Sequence, residues 1–328
     1  MAQPRAVYKG GAWLVTSVVL AYAGVVHAQS YPAKPVRLVV GNAPGGSDDF
    51  HGRLVAQKLT EALGQQFLVD NRGGSGGMVS RSLVAKSPAD GYTLLLAAAS
   101  MATSPHLYSK QQADSVRDFA PVSLVAKTYS VMVVHPSMPA KTVKDFIALA
   151  RRRAGKVNFG STGVGGGPHL NAELFCNMAK VQATHIPYKG AGAGIYVDLL
   201  SGQLDFYIGP ISTALTFINA SKVRPLAVTG AQRSPKLPEV PTMAEAALPG
   251  YEMSGWYAIF VPVGTPSDVV ATLNAALVRQ LAAAELRDAL ANVSSEARSS
   301  TPDELAQHLK SEIERYGRIL KLAGIQPQ

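Results

Sequence analysis

Two glycine-rich turns, Ala43-Pro44-Gly45-Gly46-Ser47-Asp48-Asp49 and Gly163-Val164-Gly165-Gly166-Gly167-Pro168-His169, constrain this chain more than any other feature. The first follows Val36-Arg37-Leu38-Val39-Val40, a predicted strand, and precedes Phe50, Leu54, Val55, Leu59 and Leu63, spaced for one face of a helix. The second lies between Val157-Asn158-Phe159-Gly160 and His169-Leu170-Asn171-Ala172-Glu173-Leu174-Phe175, the same strand-to-helix setting. Such a unit aims bare backbone N–H groups and the positive end of a helix dipole at one point. Glycine lets the backbone come close to a ligand. Two units about 120 residues apart point to two half-sites that face each other across a cleft and grip an anion.

Residues 1–28 read as a secretory signal peptide. Arg5 and Lys9 form a basic start, an apolar run follows from Ala12 to Val26, and Val26-His27-Ala28 offers a small-residue cleavage pattern. The run is interrupted by Thr16, Ser17 and Gly24 and is short for a membrane span. The mature chain is therefore expected to be exported and soluble. At about 300 residues it exceeds one comfortable core, so two domains are expected. Loss of Arg5 and Lys9 lowers the formal charge from +9 to +7. The dense basic run, Arg151-Arg152-Arg153, sits at a helix end, where cations complement the dipole, so nucleic acid is not an expected partner. The single cysteine, Cys176, cannot form an internal disulfide and reads as a buried thiol.

Strand and helix patterns alternate along the mature chain, which predicts an α/β fold with mostly parallel sheets flanked by helices. Pro121-Val122-Ser123-Leu124-Val125-Ala126 and Val131-Met132-Val133-Val134 form a strand pair or one bent ribbon, and the first crossing between domains falls near residues 126–131. The apolar strand Trp256-Tyr257-Ala258-Ile259-Phe260-Val261 is the expected return. This places one lobe at 29–128 plus 255–328 and the other at 129–254, joined by two strand-like crossings. Thr301-Pro302-Asp303-Glu304 combines a capping box with proline at the first position of a C-terminal helix.

The catalytic patterns fit poorly. Gly73-Gly74-Ser75-Gly76-Gly77 matches G-x-S-x-G by composition, but the preceding Asn71-Arg72 separates Ser75 from its strand, against a nucleophile elbow. No Walker A pattern occurs, and Pro168 breaks a dinucleotide fingerprint at residues 163–168. The seven histidines are scattered without metal-ligand spacing, so neither metal nor cofactor is expected. His169 stands at a helix N-terminus, as a ligand contact or a structural hydrogen bonder. Asp48 and Asp49 read first as capping residues. A third turn, Tyr188-Lys189-Gly190-Ala191-Gly192-Ala193-Gly194, opens another helix on the same sheet edge, the carboxyl edge where open α/β sheets bind ligands.

These turns, with Tyr31-Pro32-Ala33-Lys34-Pro35, Asn71-Arg72-Gly73-Gly74, Asp90-Gly91-Tyr92-Thr93-Leu94, Asp118-Phe119-Ala120-Pro121-Val122, Pro187-Tyr188-Lys189-Gly190 and Leu237-Pro238-Glu239-Val240-Pro241-Thr242, make nearly the whole mature chain resemble a known family. It is similar to the periplasmic solute-binding proteins of tripartite tricarboxylate transporters, also called the Bordetella uptake gene (Bug) family. The resemblance implies a monomeric two-lobed periplasmic-binding-protein-like fold that closes on a small organic anion and delivers it to membrane permease subunits, with no catalysis. It implies one carboxylate held by Ala43, Pro44, Gly45, Gly46, Ser47 and Asp49, with Ser161, Thr162, Gly165, His169, Tyr188, Lys189, Gly190 and Gly209 completing the grip.

Three departures from the family pattern fall at the cleft edge. Gly41-Asn42 replace a usual Pro-Phe, the turn after Gly190 is longer and lacks a proline, and Gly209-Pro210 replace a common Asp-Asn pair. The last removes an acidic partner for a ligand ammonium, which favours a di- or aromatic carboxylate over an amino acid. The competing readings are a secreted serine hydrolase using Ser75 or Ser161, and a sensor subunit that presents the loaded cleft to a membrane receptor. Intact mass of protein recovered from the periplasm should lack residues 1–28; full-length chain in the membrane fraction would contradict the export reading.

Overall fold

The computed structural model describes residues 1–4, 6, 31–108, 113–153, 155–188 and 193–322. All but a few residues of the expected signal peptide, and Lys189 and Gly190, lie outside the described residues. The chain from Tyr31 onward forms one unit.

Strand and helix alternate first as β1 (Val36–Val40), α1 (Ser47–Leu63), β2 (Phe67–Asn71), α2 (Met78–Ala85), β3 (Thr93–Ala98) and α3 (Ser100–Leu107). A 16-residue strand, β4 (Phe119–Val134), then leads into α4 (Val143–Arg152), β5 (Asn158–Ser161), α5 (Gly167–Ala179) and β6 (Thr184–Pro187). The middle of the chain continues through α6 (Ala193–Leu200), β7 (Tyr207–Pro210), α7 (Ile211–Asn219), β8 (Arg224–Val228) and α8 (Met243–Ala246). The return comprises β9 (Ser254–Pro262), α9 (Ser267–Ala282), α10 (Ala284–Ala291), β10 (Ser295–Ala297) and α11 (Pro302–Leu322).

The strand β4 serves two sheets. Residues Phe119 to Tyr129 pair with β9, in the order β10-β4-β9-β3-β1-β2. From Ser130 on, β7 lies along one side and β8 along the other, so Val131 is opposite both Gly209 and Val228. Beyond β7, Phe206 bridges Phe159, and β5 pairs with β6. The two ribbon segments read from sequence are thus one strand, bent at register shifts after Pro121, Leu124 and Met132, as bulges bend strands.

The sheets are mixed rather than entirely parallel. In the first, β2, β1 and β3 are parallel, whereas β9 runs against β3 and β4. In the second, β5 and β6 are parallel, whereas β4 runs against β7 and β8. The reason is directional. A strand that leaves one sheet at its carboxyl edge and enters the next at that sheet's carboxyl edge must oppose the resident strands. Hydrogen bonding hands over in the same place on the return, where the Met253 N–H still donates to Thr229 while Ser254 already pairs with Tyr129. The carboxyl edges of both sheets therefore meet at the crossing.

Side chains sort by the period of the strand. Val36, Leu38 and Val40 of β1 pack with Val55, Leu59 and Ile259, while Val39 joins Leu95, Phe260 and Tyr316 on the opposite face. In β4, Val131 and Val133 meet Ile195, Leu199 and Ile211, while Met132 and Val134 face Phe159, Phe175 and Phe206. The helix α11 carries the expected capping box, with Thr301 N–H donating to Glu304 Oε2 (2.8 Å) and Glu304 N–H to Thr301 Oγ1 (3.2 Å). His106 on α3 is hydrogen-bonded to the Ile313 carbonyl of α11 at 2.8 Å. Cys176 is buried, which pushes its thiol up to about 12, in keeping with an inert core thiol.

A buried histidine ties the first helix to β10. His51 Nδ1 lies 2.6 Å from the Ser47 carbonyl, Nε2 lies 2.9 Å from Ser295 Oγ, and the ring packs on Tyr257. Burial holds its imidazole down to about 4, against about 6.5 in an unfolded chain. The unfolded chain then binds the extra proton between those values. His51 contributes fully to stability above about pH 6.5, and that contribution is lost as pH falls toward 4. Urea denaturation at pH 7 and pH 4.5 should show the wild type losing about 2–3 kcal/mol more than His51→Gln on acidification. Parallel losses in the two proteins would contradict this role.

Candidate functional site

Where the two carboxyl edges meet, a cavity of about 130 Å³ opens, and five helix N-termini border it. Gly46, Ser47 and Asp48 begin α1; Gly76, Gly77, Ser80 and Arg81 begin α2; Ala99 and Ser100 begin α3. From the second sheet come Gly166, Gly167 and Pro168 at the start of α5, and Pro210 and Thr213 at the start of α7. Thr128 and Ser130 of β4, and Ser254, Gly255, Trp256 and Tyr257 of β9, form the wall at the crossing. Each helix leaves its first N–H groups without intrahelical acceptors and carries partial positive charge there. Their convergence makes the cavity attractive to anions.

Contacts from one side to the other close it. Ser212 Oγ donates to Ser47 Oγ at 3.1 Å, joining α7 to α1. Thr103 Oγ1 of α3 donates to the Gly165 carbonyl at 2.9 Å, while on the second sheet's own side Asn171 Nδ2 of α5 donates to Ser130 Oγ at 3.0 Å. Gly165 has φ +76, and a Cβ there would meet Leu107 at 1.9 Å, so only glycine suits this close approach.

Among the residues expected at the site, Gly46, Ser47 and Thr162 line the cavity. Ala43, Pro44 and Gly45 lie just outside it, with Pro44 and Gly45 exposed. Asp49 braces this turn: one carboxylate oxygen accepts the Gly45 N–H (3.0 Å) and Arg53 Nε (3.0 Å). Burial works to raise the Asp49 carboxyl, but Arg53 and the Gly45 N–H outweigh it and hold it below the usual range. His169 is 4% exposed and braces the second turn, accepting the Gly165 N–H at 3.1 Å on Nδ1, with Nε2 3.4 Å from Glu173. Gly165 supports the second turn from behind. Tyr188 is hydrogen-bonded to Asp198 and does not line the cavity.

Ser161 is fully buried, its Oγ within 2.6 Å of His185 Nε2 and accepting the Gly163 N–H. His185 stacks between Phe159 and His169, and burial, helped by His169, holds its imidazole down to about 4. Ser161 is buried and His185 half-buried, and neither lines the cavity.

Several lining residues were not among those the family resemblance implied. Tyr207 and Trp256 are buried core aromatics that also border the cavity. Gly209 belongs to this arrangement indirectly: a Cβ there would meet the Tyr207 ring at 2.1 Å, so glycine makes room for the aromatic wall. Asp48 accepts from Tyr257 Oη and from Asn42 Nδ2, each at 2.6 Å, and has no ion-pair partner among the described residues. Burial raises its carboxyl above the ordinary range. The loss of an Asp at residues 209–210 therefore does not leave the cavity without a carboxylate. Arg81 is the other charged lining residue, and burial pushes its guanidinium down to about 10. Sequence offered no signal for Arg81, an isolated cation in a helix pattern. Asn42 was legible as a departure from the family pattern, and the structure shows what it holds. Among the described residues no cluster of metal-ligating side chains occurs.

The family model "Tripartite tricarboxylate transporter family receptor" matches residues 52–325. Protein BugT of Bordetella pertussis is 34% identical over 315 residues, covering 94% of this chain and 96% of its own length. Among solved structures, R. palustris Rpa4515 with adipate superposes with a TM-score of 0.88 at 36% identity, covering 91% of this chain and all of its own. MatC from Rhodopseudomonas palustris with bound malate has a TM-score of 0.81 at 29% identity, covering 88% of this chain and all of its own. The strand order, the glycine turns and these likenesses converge: the chain belongs to the tripartite tricarboxylate transporter receptor family.

Proposed function

We propose that this protein is a periplasmic receptor that captures a small dicarboxylate or aromatic carboxylate and hands it to the permease subunits of a tripartite tricarboxylate-type transporter. It binds and performs no chemistry. The observation that carries this reading is the convergence of five helix N-termini on one cavity at the crossing of the sheets. Adipate and malate, named with two structural relatives, are both dicarboxylates of modest size. A cavity of about 130 Å³ suits such a guest, since one of roughly 150 Å³ accommodates benzene.

Ligand binding in this reading bridges two lobes, 29–128 plus 255–328 and 129–254, which swing about β4 and the start of β9. The support is the change of strand partners at Tyr129/Ser130 and Met253/Ser254. The bridging bonds of Ser212 with Ser47 and of Thr103 with Gly165 then belong to the closed form. The N-terminal basic–apolar–small pattern supports export.

A ligand at about 100 times its dissociation constant stabilises the folded form by roughly 2.7 kcal/mol. A thermal-shift panel of succinate, malate, adipate, citrate, benzoate, terephthalate, aspartate and glutamate should therefore give at least one rise of several degrees. The matching neutral amide should give none. Silence across the acids, or an equal shift with the amide, would contradict carboxylate capture.

A further inference from the structure

We propose that Arg81 is the side-chain anchor for the ligand's carboxylate, and that Asp48 bars that carboxylate from the first glycine turn. The inference rests on the carboxylate-receptor reading and adds which group holds the charge. Arg81 is 4% exposed and lines the cavity from the first turn of α2. Its Nη1 donates to Ser100 Oγ at 3.2 Å and to the Gly76 carbonyl at 3.3 Å. Its Nη2 is buried with no hydrogen-bond partner, and no carboxylate lies within ion-pair distance among the described residues. A guanidinium in protein is always charged, and burying it unpaired is costly. An unpartnered guanidinium N–H beside a cavity matches a carboxylate, which it can hold through a charge-assisted bond.

Asp48 supplies the second half of the argument. It stands on the first turn of α1, where a backbone-held anion would otherwise sit. Asn42 and Tyr257 fix its carboxylate there by donating to it, and it lacks a cation. Like charges in a water-poor cavity repel strongly, so an incoming carboxylate is directed away from this turn. Arg81, on the neighbouring helix, is the one buried cation lining the cavity among the described residues. The ligand's carboxylate is thereby sent to α2, and Asp48 faces another part of the ligand.

The test compares wild type, Arg81→Met, Arg81→Lys and Asp48→Asn by calorimetric titration with every carboxylate of the panel that stabilises the wild type. Arg81→Met should weaken each by a factor of about 10 to 100, with Arg81→Lys recovering part of the loss. Asp48→Asn should bind as tightly as wild type or tighter. The melting temperature of ligand-free Arg81→Met should stay level or rise, because an uncompensated buried charge has gone. A purely structural arginine would give the reverse, a lower melting temperature with intact affinity, and that result overturns the proposal. So does loss of binding in Asp48→Asn with none in Arg81→Met. If wild type binds no carboxylate at all, the receptor reading itself fails and this inference falls with it.

Discussion

The backbone ladder along β4 is the constraint from which the site follows. One strand bonds to β9 over its first part and to β7 and β8 over its last, so a single extended segment holds both sheets. Its direction, against the resident strands of the second sheet, brings two carboxyl edges together. Helices that follow parallel strands begin at that edge. The N-termini of α1, α2, α3, α5 and α7 consequently share one cavity. Nothing about the individual glycine turns compels this convergence; the pairing of β4 does. Bulges after Pro121, Leu124 and Met132 let the strand bend while its ladder continues.

The cavity is polar in an uneven way. Helix dipoles from both sides supply diffuse positive potential, while buried Arg81 and half-buried Asp48 supply local fields of opposite sign on neighbouring helices. Neither forms an ion pair with the other or with a third group among the described residues. An unpaired charge of this kind lowers the stability of an empty protein. Aromatic side chains limit the space. Tyr207, Trp256 and Tyr257 stand along the crossing, with Trp256 held by Glu312 and Tyr257 by Asp48. The turns themselves are braced from behind, by Asp49 under Gly45 and by His169 under Gly165.

Much of this was legible in the sequence because it is local. The strand–turn–helix units and the capping box at Thr301 follow from periodicity and from residues with narrow conformational preferences. The antiparallel course of β4 and β9 was not legible, since strand direction is set by partners more than a hundred residues away. The family resemblance pointed to the first turn; Ala43, Pro44 and Gly45 lie beside the cavity while Asp48 lines it. One helical position separates Asp48 from Asp49. That rotation of about 100° decides which carboxylate braces the turn and which lines the cavity. Gly209 was read as part of the grip on the ligand; the structure sets the Tyr207 ring against it. Arg81 is an ordinary surface residue to any periodicity argument; only packing shows it buried.

The central claim is that a carboxylate binds where the two carboxyl edges meet. It is tested most directly by a crystal structure of the protein grown with the carboxylate that stabilises it most. Density for the carboxylate should lie in the cavity between the starts of α1, α2 and α5, within hydrogen-bond reach of backbone N–H groups or the Arg81 guanidinium. A cavity holding only water, with the carboxylate bound on another surface, would contradict the claim.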